Sequence, residues 1–120
     1  MNDKLDKPVK TETPWGYELL WAKTAKYAGK ILFVKQSKRL SLQFHRLKDE
    51  SIYVFSGKIV MRIGSADGQL VSREMNPGDC LRIEPMTHHR IEATEDTYLF
   101  EVSTPELEDV VRLSDDYHRV

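Results

Sequence analysis

Strand-type runs recur about every eight to twelve residues, each closed by Gly, Pro, Asn, Asp or Ser, with almost no helical period between them. Runs of this kind cover Tyr17 to Trp21, Lys30 to Lys35, Leu40 to His45, Ser51 to Phe55, Lys58 to Ile63, Gln69 to Met75, Asp79 to Ile83, His89 to Ala93 and Thr97 to Ser103. That cadence predicts nine or ten short antiparallel strands in a sandwich or barrel, not a parallel sheet flanked by helices. Only Glu106 to Leu113 has a spacing that admits a helix. The 120 residues suit a single domain, which buries roughly two-thirds of the surface of its unfolded chain. Residues 1 to 13 are polar and aperiodic and are expected to form a tail, mobile or laid across a neighbouring subunit, ahead of a domain over 14 to 120.

Charge narrows the partners. Eighteen Lys and Arg are interspersed with 19 Asp and Glu, for a net charge of −1, which disfavours a nucleic-acid backbone. There is no apolar run of the roughly 18 residues that a membrane span requires, and the first residues have no apolar region of the signal-peptide kind, so a cytoplasmic location is expected. The single cysteine, Cys80, excludes an internal disulfide. Without a local cationic neighbour it reads as a small packing residue, not a nucleophile. Trp15 reads as a packing lid.

The chemistry gathers around Leu40 to His45. Alternation places Leu40, Leu42 and Phe44 on one face and Ser41, Gln43 and His45 on the other. A short turn then returns the chain so that Glu50 comes near His45. An imidazole, an amide oxygen and a carboxylate on adjacent strands form a metal shell short of one imidazole. The stretch from Asn76 to Arg90 can supply it: Asn76-Pro-Gly-Asp79 is turn chemistry, Pro85 ends a strand, and His88 and His89 follow.

These two stretches resemble the two motifs of the cupin superfamily. The first, His-x-His followed by Glu and Gly, matches Gln43-x-His45, Glu50 and Gly57, with Gln in place of the first His; the second matches Gly78-Asp79, Pro85 and His89. A closer resemblance is to the cupin domain of type II phosphomannose isomerases. It rests on Pro14-Trp-Gly-Tyr-Glu18, Leu40-Ser-Leu-Gln-Phe-His45, Pro77-Gly-Asp79, His89-Arg90 and Glu108-Asp-Val-Val-Arg-Leu-Ser-Asp-Asp-Tyr117. The chain departs from that pattern at Gln36-Ser37, Leu47-Lys48, Ser51-Ile52 and Glu84-Pro85-Met86, all outside the ligand set.

The resemblance implies an all-β, single-domain cupin, a double-stranded β-helix or jelly-roll barrel. It implies a divalent metal on Gln43, His45, Glu50 and His89, zinc first, with manganese, iron, nickel or cobalt also compatible. The implied reaction interconverts mannose 6-phosphate and fructose 6-phosphate: the metal polarises sugar oxygens and a base moves a proton between C1 and C2. Arg39, Arg82, Arg90 and Arg112, together with Lys30, are the candidate phosphate partners. Lys30, Lys48 and Glu101 are the candidate bases. A homodimer is expected, seated on the Leu40, Leu42 and Phe44 face unless the N-terminal strands cover it. Two alternatives stand beside the isomerase: a non-catalytic metal-dependent sugar or metabolite binder, and an iron-dependent small-molecule dioxygenase.

Overall fold

The computed structural model describes all 120 residues and contains eleven strands and no helix. They are β1 (Val9–Thr13), β2 (Gly16–Lys23), β3 (Ala28–Val34), β4 (Leu42–Phe44), β5 (Glu50–Ser56), β6 (Ile59–Gly64), β7 (Val71–Met75), β8 (Cys80–Ile83), β9 (His88–Ala93), β10 (Thr97–Ser103) and β11 (Val111–Ser114). Two antiparallel sheets pack face to face: six strands in the order β1-β2-β3-β10-β5-β8, and five in the order β11-β4-β9-β6-β7. The all-β, jelly-roll expectation holds. No helix is long and apolar enough to cross a membrane.

Alternation builds the core. On β5, Ile52 and Val54 point inward; on β10, Thr97, Leu99, Glu101 and Ser103 do, while Tyr98, Phe100 and Val102 point out. Ile52, Val54, Ile59, Met61, Ile83, Ile91 and Leu99 form one closed cluster with Trp15, Leu32 and Val34. Each large side chain buried there contributes on the order of 1.5–3 kcal/mol. Gly57 makes the β5–β6 turn at φ +90, where a Cβ would lie 2.4 Å from the Asp96 carbonyl oxygen, so that position demands glycine.

Four local expectations are corrected. Val9–Thr13, expected within a tail, is a strand that hairpins onto β2 in the register Val9↔Leu20 to Thr13↔Gly16. The stretch that admitted a helix instead makes turns as far as Val110 and then pairs as β11 with β4, Val111 opposite Phe44. Pairing with an otherwise free strand edge overrides the local period there. Cys80 is exposed, because β8 turns Leu81 and Ile83 inward and Cys80 and Arg82 outward.

The strip Leu40, Leu42, Phe44 is not a single face. Leu40 lies outside β4, donates its N–H to the Ile91 carbonyl and packs on the core, whereas Phe44 stacks on His88 with ring centroids 5.0 Å apart. The chain itself half-buries all three residues.

Candidate metal centre

Strand pairing assembles the site. The β4–β9 register sets Gln43 directly opposite His89, His45 follows β4 immediately, and Glu50 opens β5. The ligating atoms of His45, Glu50 and His89 all lie within 4.8 Å of one another. Glu50 Oε1 is 3.2 Å from His45 Nε2 and 3.3 Å from His89 Nε2, and the three side chains are 2–4% exposed. His88 faces the opposite way, against Phe44, as alternation along β9 requires.

The outer nitrogens settle the chemistry of the inner ones. His45 Nδ1 lies 2.5 Å from the Asp109 carbonyl oxygen, and His89 Nδ1 lies 3.0 Å from that of Thr87. A carbonyl only accepts, so each Nδ1 carries the proton, and in the neutral ring each Nε2 turns a lone pair toward the Glu50 carboxylate. Glu50 Oε2 has no hydrogen-bond partner. Three electron-rich atoms that converge within 4.8 Å of one another can hold a cation between them. Two imidazoles fixed by backbone carbonyls plus one carboxylate fit a divalent transition metal.

Around the cluster sits a second layer of charge. Lys48 Nζ is 3.2 Å from Glu50 Oε2 and 3.4 Å from Glu101 Oε2, the latter a hydrogen bond. Burial works against the Lys48 ammonium, but Glu101 and Glu50 outweigh it and raise its pKa. Burial, reinforced by repulsion from Glu50, lifts the Glu101 carboxyl to about 8. Burial also works to raise Glu50, yet His45, His89 and Lys48 hold it well below the ordinary carboxylate range.

Asp109 locks the turn that carries Lys48. Its carboxylate accepts the N–H groups of Arg46, Leu47 and Lys48 at 3.1, 2.7 and 2.9 Å. Gln43 Oε1 accepts from Ser41 Oγ at 2.7 Å, which leaves Nε2 3.5 Å from His45 Nε2. As placed, the amide turns its NH₂ group, not its oxygen, to the cluster.

The cluster borders a cavity of about 330 Å³ lined by residues that include Thr13, Trp15, Glu18, Lys30, Gln43, His45, Lys48, Glu101, Arg112 and Arg119. Of the four candidate arginines, Arg112 alone lines it. Arg39 forms a two-pronged pair with Asp116, and Arg82 does the same with Asp49. Arg90 is buried beside β4, its Nε donating to the Leu40 carbonyl at 2.8 Å. Lys30 lines the cavity but is paired with Glu18 at 3.1 Å. Thr13 and Arg119 escape a reading of the sequence, because each reaches the site from a chain end without a local motif, while Glu18 and Asp109 stand in motifs of the sequence that do not by themselves mark them as site residues.

No protein-family model matches the sequence, and no curated protein matches it. Solved structures do match in shape. KdgF from Halomonas sp. superposes with a TM-score of 0.73 at 21% identity over 91% of this chain and 95% of that one. The capsular polysaccharide assembling protein CapF of Staphylococcus aureus gives 0.77 at 20% identity over 93% of this chain and 34% of its own. The oxalate decarboxylase of Bacillus subtilis, a protein with Mn(II) centres, gives 0.75 at 21% identity over 90% of this chain and 30% of its own. This chain therefore spans about a third of CapF and of the decarboxylase, and almost all of KdgF. All three have the cupin fold, and at this level of identity the likeness is one of fold.

Proposed function

We propose that this protein is a metal-dependent cupin that interconverts an aldose phosphate and a ketose phosphate, the pair being mannose 6-phosphate and fructose 6-phosphate. The fold and a His-Glu-His cluster beside a cavity support the metal-dependent part; the substrate pair rests on the sequence motifs. The carrying observation is the convergence of two Nε2 lone pairs and the Glu50 carboxylate next to the Lys48–Glu101 pair.

His45, Glu50 and His89 are the metal ligands, with zinc the first expectation. Gln43 becomes a fourth if its amide rotates, since Ser41 can accept from Nε2 as readily as it donates to Oε1. Bound there, a divalent metal would supply a Lewis acid for the sugar's C1–C2 oxygens. In the reaction, a proton leaves C2 of the aldose and returns to C1, while a hydroxyl proton passes from O2 to O1. No co-reactant is needed. Glu101, which borders both the cavity and Lys48, is assigned the carbon-bound proton, and Lys48 stabilises its ionised form.

Arg112 is assigned the phosphate. Of the cations lining the cavity, Lys30 is paired with Glu18, Lys48 with Glu50 and Glu101, and Arg119 with Asp115. Arg112 donates from Nη1 to the main-chain oxygen of Val120 at 2.6 Å but has no side-chain carboxylate partner, and its Nε is buried without any partner. Thr13 Oγ1, on the same cavity wall, is also unpartnered. Arg112 is thus the cavity cation left without a side-chain carboxylate, and an oxyanion would give its guanidinium a charge-assisted partner.

Fructose 6-phosphate in heavy water, followed by proton NMR with metal-loaded and chelator-treated protein, tests the proposal. Mannose 6-phosphate deuterated at C2, formed only in the loaded sample, is the expected result. No turnover with metal demonstrably bound would overturn it in favour of a binding module, a reading that the double anchoring of Lys48 by two carboxylates also accommodates.

A further inference from the structure

The outer face of the six-stranded sheet is unlike the rest of the surface. Outward positions on its three central strands are Gly29, Ile31 and Phe33 of β3, Tyr98, Phe100 and Val102 of β10, and Ser51, Tyr53 and Phe55 of β5, with no charge among them. Their rings form continuous rows across the strands. Tyr17, Phe33 and Tyr98 pack as tilted pairs at 5.2 and 4.9 Å, and Phe100 stacks on Phe55 at 4.9 Å and Tyr53 at 6.0 Å. Despite that, Tyr53, Phe55, Tyr98, Phe100 and Val102 are 37–58% exposed, as is Trp21 at 55%. The other sheet's outer face carries Arg62, Glu74, Arg90 and Glu92.

We infer that this face is the contact between two copies of the chain, packed sheet against sheet about a two-fold axis. Three observations choose a second copy over another occupant. An uncharged face laid on itself opposes no like charges, which is the condition for an isologous contact. The charges that flank the face already neutralise each other, Arg82 with Asp49 at 2.7 Å at one rim and Lys10, which also covers the Tyr17 ring, with Glu12 at 3.2 Å at the other, and they offer nothing to a charged partner. The area is also adequate. At about 150–250 Å² for a whole aromatic side chain, the exposed fractions leave on the order of 600 Å² of apolar surface, before half-buried Leu19, Ile31 and Phe33 and the rim are added. A standard interface takes roughly 800 Å² from each partner, while about 600 Å² is the upper end of what a monomer leaves bare. This interface is independent of the isomerase assignment, and it moves the dimer contact away from the Leu40–Phe44 strip.

Sedimentation equilibrium across micromolar to millimolar loading tests it. The wild-type chain is expected at the mass of two 14.0 kDa chains. Phe55→Glu and Val102→Glu, each at an exposed outward position, are expected to halve that mass while leaving far-UV circular dichroism and metal content unchanged. Arg62→Glu, on the other sheet, is expected to leave it at two chains. A wild type that stays at one chain throughout, or two face variants that both stay at two, would overturn the assignment.

Discussion

The barrel interior is two environments laid end to end along the same strands. On β5 the inward positions run Glu50, Ile52, Val54; on β9 they run His89, Ile91, Ala93; on β10 they run Glu101, Leu99, Thr97. One step of two residues crosses from buried charge to dry hydrocarbon. The apolar end is satisfied by its own packing. At the polar end, charges are buried against one another and Glu50 Oε2 is left without a hydrogen bond. Such an arrangement costs stability compared with an apolar filling, and its retention points to chemistry.

The comparison is broken most severely by removing one charge from the polar end. Lys48→Met leaves Glu50 and Glu101 facing each other without a cation. In chelator-treated protein it is expected to cost roughly 3–5 kcal/mol by urea denaturation. The double variant Lys48→Met/Glu101→Leu should recover most of that loss; if it does not, the buried charges are not the source of the strain.

At the apolar end, Leu99→Ala is expected to cost about 2–5 kcal/mol while metal stoichiometry is kept. Loss of metal with that variant would mean that the two ends are not separable.

A smaller effect sharpens the contrast through pH. The Glu101 carboxyl sits at about 8 in the fold against 4.5 for its ordinary value. Its contribution to stability is therefore complete below about 4.5, declines as pH rises, and is exhausted by about 8. Thermal melts of metal-free protein should fall over that window, and Glu101→Gln should flatten the fall. Smallest of all, Cys80→Ser should leave activity and melting temperature unchanged, since the thiol is exposed on the outside of β8.

What the sequence disclosed follows the range of the contacts involved. The β4–turn–β5 unit is local, so alternation and a short turn suffice to bring His45 near Glu50. The Pro77-Gly-Asp79 turn and the strand end at Pro85 likewise prepare His89. The arginines could not be sorted this way: Arg39 finds Asp116 and Arg82 finds Asp49 across the fold, and nothing near them in sequence announces those partners. The strands at the chain ends, β1 and β11, exist because an edge was available to them, on β2 and β4 respectively. Their cavity-lining residues, Thr13 and Arg112, arrive with that pairing.

The most direct test of the account is cobalt titration of the metal-free protein, read by visible absorption and by stoichiometry after desalting, for the wild type and for His45→Ala, Glu50→Ala and His89→Ala. The account predicts one cobalt per wild-type chain, with ligand-field bands of a mixed nitrogen and oxygen site, and no retained metal in any of the three variants. A variant that keeps stoichiometric cobalt with an unchanged spectrum would contradict it.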